Sequence, residues 1–461
     1  MKRMLFYALM FLSACLVVLF VGSRGDEPLD PSVEKLLDFK SPEVAPAENA
    51  YVGVSGLANV QDGDVVTAGQ KYLAGGDRPA SDSEEGRFDS SYKNPCLNFD
   101  NDNCLEQIAA EAAAINEAVQ NNTEFLERYY VVQKMPLFVN TASSFNAPTP
   151  RYQRLLDSSR LIGAKALLDI KQNGLAAGLE TLEADLNFYK RMSRSEHVNM
   201  IDLMVAVAGL KIHLLNINGI IENDQISVAG YEDRLRKLLD LNLNVAKIME
   251  SALNMEKRQA ARLFESPAPV AGWYGNEDNW QERVKWQFYA LFYKKNMTLN
   301  RLTTSADKVI DQIGSTPFLN FPDFMAAHEA FKSSSDSLPT VKELYDLYGL
   351  FFFKNYTGEF IVHIAQSINY MKYLARVNDI IVYSRLVRAN LELRLMKDRP
   401  ADTAETLAGL GPETWNPYTG KPFNWDREQN ILWTKSAIRT STASGDPSYG
   451  WMKVAAPDRR P

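Results

Sequence analysis

Eighteen uncharged residues, Met4 to Val21, follow a start that carries Lys2 and Arg3. At about 1.5 Å per residue such a helix covers most of a ~30 Å hydrocarbon core. Arg24, Asp26, Glu27 and Asp30 come directly after it. The basic residues on the leading side place the start of the chain in the cytoplasm and the remaining bulk across the membrane. The run therefore reads as a single transmembrane helix in a 1–22 anchor, with residues 4–21 in contact with the lipid bilayer. Two other attachments use the same residues. A cleaved secretory peptide needs small residues at its cleavage site, and Phe20-Val21-Gly22-Ser23 supplies them poorly. Leu12-Ser13-Ala14-Cys15 resembles a lipobox with Cys15 as the lipidation site, although six apolar residues, Leu16 to Val21, follow the cysteine. All three attachments put the body on the same side.

The net charge of −7 is unevenly placed. Residues 23–103 hold 16 acidic and 7 basic residues, while the rest of the body is close to neutral. No basic patch marks a nucleic-acid surface. Apart from Cys15, the cysteines are Cys96 and Cys104, a close pair in Asn-Pro-Cys-Leu-Asn-Phe-Asp-Asn-Asp-Asn-Cys. Outside the cytoplasm such a pair is expected to form a disulfide, with about 2–3 kcal/mol from closing so small a loop.

Residues 23–95 read as an acidic, Gly/Pro-rich linker followed by extended or irregular structure. Pro28, Pro31, Pro42 and Pro46 punctuate its first half, with one helical turn near Val33–Leu37, and seven glycines from Gly53 to Gly86 occupy its second. Residues 96–397 carry helical spacing. Helices are expected from Leu105 to Lys134, Arg151 to Lys171, Leu175 to Met192, Asn199 to Ile221, Val228 to Phe264, Glu277 to Ile313, Phe318 to Ser333, Val341 to Phe353 and Glu359 to Met396. The Arg151–Met192 pair forms an αα-hairpin turning at Asn173-Gly174, but no second copy follows about 34 residues later. In 398–435 a turn-rich segment leads to Phe423-Asn424-Trp425 and Ile431-Leu432-Trp433, aromatic flanks of a β-hairpin. Residues 436–461 are polar and expected to be disordered. The fold class is thus all-α, an irregular helical array or bundle after one N-terminal transmembrane helix, with a small C-terminal β-hairpin.

Catalytic signatures are missing from this sequence. His197, His213, His328 and His363 do not pair at metal-ligand spacing, and His328-Glu329 meets Lys332 where a zincin needs its second histidine. His213 and His363 sit in apolar helices as core or interface residues. Gly53-Val54-Ser55-Gly56-Leu57 lacks the last glycine of a nucleophile elbow. Ser32-Val33-Glu34-Lys35 and Ser90-Ser91-Tyr92-Lys93 match S-x-x-K without its partner motifs, and Asp100-Asn101-Asp102-Asn103 lacks the Gly and Glu of a calcium loop. Glu180, Glu183 and Asp185 form an acidic cluster that reads as a solvated helix face. Tyr345, Tyr348, Phe351, Phe352, Phe353, Tyr356 and Phe360 form an aromatic cluster expected to pack in a core. No catalytic, cofactor-binding or metal-binding residue is assigned.

Four stretches carry a resemblance: Asn49-Ala50-Tyr51 before the glycine-spaced segment, Leu182-Glu183-Ala184-Asp185-Leu186, Phe292-Tyr293-Lys294-Lys295-Asn296-Met297-Thr298-Leu299-Asn300, and Asn416-Pro417-Tyr418-Thr419-Gly420-Lys421-Pro422-Phe423. Together they resemble a group of uncharacterised bacterial membrane-anchored helical proteins over most of residues 5–433. The resemblance implies a single-pass protein of the bacterial inner membrane with its body in the periplasm, a lipoprotein being the alternative, and it supplies no activity. The last stretch is also similar to the turn after the long helix of pseudopilin-like proteins. This chain departs from them, since its long helix is not joined to the N-terminal apolar run. The expected function is a membrane-tethered extracytoplasmic scaffold or binding protein with a protein partner. The alternatives are an envelope hydrolase whose site gathers scattered carboxylates near Glu183 or Glu329, and an accessory of secretion or immunity.

Overall fold

Apolar residues at helical spacing fold as helices in the computed structural model. It describes residues 25–58, 63–75, 88–97, 103–142, 147–265, 293–315, 355–366, 370–396, 403–436 and 451–455, with isolated residues between 6 and 17. The helices in chain order are α1 (Pro31–Asp38), α2 (Ala50–Gly56), α3 (Val65–Leu73), α4 (Cys104–Ala110), α5 (Ala112–Asn121), α6 (Thr123–Lys134), α7 (Tyr152–Asn173), α8 (Ala176–Arg194), α9 (Met200–Glu222), α10 (Glu232–Leu239), α11 (Val245–Leu263), α12 (Lys295–Ser315), α13 (Tyr356–Gln366), α14 (Tyr370–Leu395) and α15 (Thr403–Gly409). Strands β1 (Asn424–Asp426), β2 (Ile431–Lys435) and β3 (Trp451–Ala455) form one antiparallel sheet in the order β1-β2-β3. The described part of the molecule is mostly helical with this one small sheet.

Helix α9 is the axis. Asn199 and Asp202 close a reciprocal capping box at its start, which satisfies amide donors that the first turn leaves without partners. Its apolar residues run all the way round, as a fully enclosed helix requires. Helices α7, α8 and α14 pack around it. Arg394 of α14 donates to the carbonyls of Ile220, Ile221, Asn223 and Ile226 at its far end, where a cation meets the negative end of the helix dipole. Among the described residues α9 alone is long and apolar enough to cross a membrane, and most of it is covered by its neighbours. A transmembrane helix is therefore not shown at the N-terminus. There, Phe6, Tyr7, Met10, Phe11 and Leu12 are helical and exposed, Phe11 at 72%.

The glycine-rich segment departs from its extended expectation, because it contains α2 and α3. Their glycines allow close packing. A Cβ on Gly56 would stand 2.0 Å from the Val65 carbonyl oxygen, and one on Gly69 would stand 1.9 Å from that of Val52. Only a glycine lets these two backbones meet. In an open helix, Gly to Ala would stabilise by about 0.5–1 kcal/mol. At Gly69 the sign reverses. Gly69→Ala is expected to destabilise by about 1–3 kcal/mol through forced separation of α2 and α3, read from the urea midpoint, and an unchanged or raised midpoint would contradict this crossing.

Two further expectations are corrected. The helix expected from Val228 to Phe264 is two helices, α10 and α11, joined by an extended segment in which Asn242 takes φ 43°. Lys190 explains the break: its Nζ donates to the carbonyls of Lys237 (3.3 Å), Leu238 (2.9 Å) and Asp240 (2.9 Å), so the end of α10 is capped from α8. The polar tail also contributes structure, since β3 lies within it. The hairpin pairs Trp425 with Leu432, as the aromatic flanks predict, and β3 then adds Val454 opposite Leu432. Met452 and Val454 are buried by this alternation.

The acidic linker is docked rather than free-running. Asp30 caps α1 by accepting from the Ser32 amide. Val33 is buried in a secondary core with Leu263, Phe264, Leu299, Leu302 and Ile361. The expected helices Phe318–Ser333 and Val341–Phe353 lie outside the described residues, as does the part of Glu277–Ile313 before residue 293.

Candidate functional site

The expected acidic cluster divides. Glu180 is exposed, Glu183 forms an ion pair with Arg234 at 2.6 Å, and Asp185 is fully buried. Asp185 is thus no part of a solvated face. On α8 it points inward, one turn before Tyr189, toward α6, α7 and α9. Its Oδ1 accepts from the Tyr129 hydroxyl and from Gln133 Nε2 (2.6 Å), and its Oδ2 lies 2.8 Å from His213 Nε2. Ser159 Oγ bonds both Tyr129 (2.9 Å) and Tyr189 (2.7 Å) hydroxyls. Burial acts to raise the Asp185 pKa. His213 and the Tyr129 and Gln133 donors outweigh it and hold the carboxyl below its usual range. Burial pushes the Tyr129 hydroxyl well up, and the Asp185 charge adds to the shift.

Serine, histidine and aspartate meet here without forming a nucleophilic triad. Ser159 bonds the tyrosines, whereas a triad needs its serine on the histidine. Tyr129, Ser159, Asp185, Tyr189 and His213 are all 0% exposed, so no substrate reaches them. The network joins four helices inside the core, and His213 is the core histidine expected.

A second network surrounds Asp202. Its carboxylate accepts from Tyr152 Oη, Asn140 Nδ2 (2.6 Å) and the Asn199 amide (3.0 Å). Burial pushes its pKa to about 6 despite these donors. Nearby on α11, Glu256 accepts from the Tyr370 hydroxyl at 3.0 Å, and burial pushes it to about 7.

The remaining candidate positions resolve as follows. The Cys96 and Cys104 sulfurs lie at disulfide-bonding distance, with Cα atoms 4.8 Å apart, against Gly219 of α9. Ser55 donates to the Tyr51 carbonyl inside α2 and has no elbow geometry. His197 stacks on Phe39. Cys15, His328, Glu329 and the aromatic cluster from Tyr345 to Phe353 lie outside the described residues, as do the side chains of Tyr356, Phe360 and His363. Among the described residues no group of His, Cys, Asp and Glu could hold a metal ion.

An open cleft of about 690 Å³ lies elsewhere, between the α10–α11 connection, the end of α12 and one face of α14. Leu374, Asn378, Ile381, Arg385 and Arg388 line it at spacings of four, three, four and three, the repeat that keeps one helix face in line. Opposite them, Leu239 to Asn244 alternates leucine with Asp or Asn, burying Leu239 and Leu241 and exposing Asp240, Asn242 and Asn244. Ser384 donates to the Leu239 carbonyl, and Arg194 donates to the Leu241 carbonyl at 2.7 Å. The cleft wall is thus held from two sides. Arg385 reaches the Pro412 carbonyl at 3.3 Å, and burial beside Arg388 lowers its pKa.

The linker makes the other notable site. Asp26 accepts from the Asn296 (2.7 Å) and Met297 (3.1 Å) amides at the start of α12. A carboxylate there offsets the positive end of the helix dipole. Asn300 adds bonds to Glu27 Oε1 (2.8 Å), the Pro28 carbonyl (3.0 Å) and the Asp30 amide (2.9 Å).

The Asn416–Phe423 stretch has a structural role. Asn416 accepts from the Tyr418 amide (2.9 Å), Gly420 closes the turn at φ 62°, and the buried Tyr418 donates to Asp379 of α14 at 2.7 Å. It fastens the sheet to the helical body. Comparison with protein-family models, with curated proteins and with solved structures finds no match to this chain.

Proposed function

We propose that this chain is a membrane-tethered binding protein whose helical body works outside the cytoplasm, held close to the bilayer. One observation carries the reading. Phe6, Tyr7, Met10, Phe11 and Leu12 expose apolar surface on a helix, and Asp26, a few residues beyond the apolar run, is already fastened to α12. Lipid covers such a helix at little cost, whereas water does not. The leading Lys2 and Arg3 favour a cytoplasmic start. The Cys96–Cys104 pair suits an oxidising compartment. Buried polar networks that no substrate reaches favour binding over catalysis, and the inner membrane with a periplasmic body is the location this implies.

The full chain, expressed in a Gram-negative host, is expected to stay with membranes through carbonate extraction. Protease added to spheroplasts is expected to degrade its body. A chain lacking residues 4–21 is expected to leave the membrane fraction. A body protected in spheroplasts, or a shortened chain that remains in membranes, would overturn the tether. A mass shift at Cys15 would replace the transmembrane helix with a lipid while keeping the location.

A further inference from the structure

We propose that the end of the body formed by the start of α12, the end of α11 and the start of α13 lies against the phospholipid headgroups of the membrane that holds the apolar run. The other end of α12, where Ile313 and Gly314 line the open cleft, then faces away from the bilayer. This deepens the tether reading and rests on it. Chain length carries the assignment. Asp26 is fastened to the Asn296 and Met297 amides, and only residues 22–25 separate it from Val21, the last residue of the run. Fully extended, the chain from Val21 to Asp26 reaches about 17–18 Å. The headgroup layer takes up about 5–8 Å of that. Asp26 therefore stands no more than about 10–13 Å above the headgroups, and any bend in the connection brings it closer.

Past Asp26 the linker stays on the body, so the distance is fixed there. Asn300 bonds Glu27 and the Asp30 amide, and Val33 is buried in the secondary core. The Arg258 guanidinium lies 3.6 Å from the centre of the Phe39 ring, and Arg262 donates to the Phe39 carbonyl. The partners of α12 define the surface brought to the bilayer. Tyr293 donates its hydroxyl to the Phe264 carbonyl, Lys295 pairs with Glu265 at 3.1 Å, and the Lys294 amide donates to Asn355 Oδ1 at 2.7 Å. Lys294 and Lys295 stand among Asp26, Glu27 and Glu265, so this end has no excess of positive charge. Its seating follows from the short connection and not from attraction to anionic lipid. The stretch 266–292 joins the body at this same end, between Glu265 and Tyr293, and its sequence carries Trp273, Trp280 and Trp286, a residue type enriched at membrane–water interfaces. Asp311 lies sixteen residues beyond Lys295, about 24 Å along α12 at 1.5 Å per residue.

The test uses the full chain in a Cys15→Ala background, reconstituted in phosphatidylcholine vesicles with a nitroxide on a small share of the headgroups. Such vesicles exclude any attraction to anionic lipid. A fluorophore is attached at Glu265→Cys or at Asp311→Cys, both exposed positions. Quenching is expected to be at least threefold stronger at position 265 than at position 311. A spacer of about ten Gly and Ser residues adds roughly 17 Å. Placed between Gly22 and Ser23, before the first fastened residue, it is expected to lower quenching at position 265 to the level of position 311. Placed between Lys40 and Ser41, beyond the fastened part, it is expected to leave quenching at position 265 unchanged. The first spacer interrupts none of the contacts of the linker with the body, so this variant decides the matter if the second fails to fold. Equal quenching at the two positions, or a first spacer without effect, would overturn the assignment. Equal losses from the two spacers would also overturn it, since the linker would then be free along its length. A chain that floats with the vesicles but fails these measurements loses only the face assigned to the bilayer. A chain that does not float loses the tether, and this assignment with it.

Discussion

Asp185→Ala is expected to lower the free energy of unfolding by about 3–5 kcal/mol, the cost of leaving a buried charged or polar partner uncompensated. Asp185 is the point on which Tyr129 and Gln133 of α6 and His213 of α9 converge, all three buried. Alanine removes the acceptor and leaves three polar groups facing a cavity. Asp185→Asn keeps one acceptor oxygen and is expected to lose less. Replacing Asp185 and His213 together by leucine is expected to cost less than the two single changes summed, because the unpaired partner goes as well. Urea unfolding of these variants and of the single Asp185→Leu and His213→Leu changes measures this, and a loss below about 1 kcal/mol for Asp185→Ala would show that the network is not a load point of the fold. The sign with pH follows from the depressed pKa. The Asp185 contribution is complete above the unfolded carboxyl value and is lost as pH falls through the lower folded value.

Asp202 and Glu256 act in the opposite direction. Their folded pKa values, about 6 and about 7, are raised above their unfolded ones. Both therefore hold their protons more tightly when folded, and the stability this gives is complete below about pH 4 and lost as pH rises through the folded values. The expected loss between pH 5 and pH 8 is about 1–1.5 kcal/mol for Asp202, much of whose contribution is already lost by pH 5, and about 2 kcal/mol for Glu256 after a discount for its partial exposure. Glu256→Gln keeps an acceptor for Tyr370 and is expected to flatten the profile between pH 6 and pH 8, leaving the Asp202 step near pH 6. Equal slopes in the wild type and the variant would sink the assignment to Glu256. Among these three groups the summed contribution is greatest in acid, below neutrality.

Much of the helical body was legible because its signal is local. The three helices α7, α8 and α9 fall within two residues of the boundaries that periodicity and the Asn173-Gly174 stop predict. The β-hairpin was legible from its aromatic flanks, while β3 was not: Trp451 to Ala455 is a short apolar run inside a polar tail until β2 and α14 supply its partners. Gly56 and Gly69 read as loop formers because a close helix crossing leaves the same glycine signature as a turn. Leu239 to Asn244 did carry a usable sign, a period-2 alternation inside an otherwise helical stretch. Asp185 could not be separated from Glu180 and Glu183 by composition. What distinguishes it is the company of Tyr129 and His213, which lie 56 and 28 positions away in the chain.

The docked linker has a consequence for synthesis. The hydrogen bonds of Asp26 join residues 270 and 271 positions apart. At roughly 5–20 residues per second, the partner helix follows the linker by tens of seconds. Through that interval Leu29, Val33 and Leu37 lack the surfaces of α11, α12 and α13 that later cover them. Three apolar residues of the linker thus stay uncovered until those helices are made, and its acidic residues keep it solvated meanwhile. Closure of the secondary core and fastening of the linker to α12 are therefore one late event.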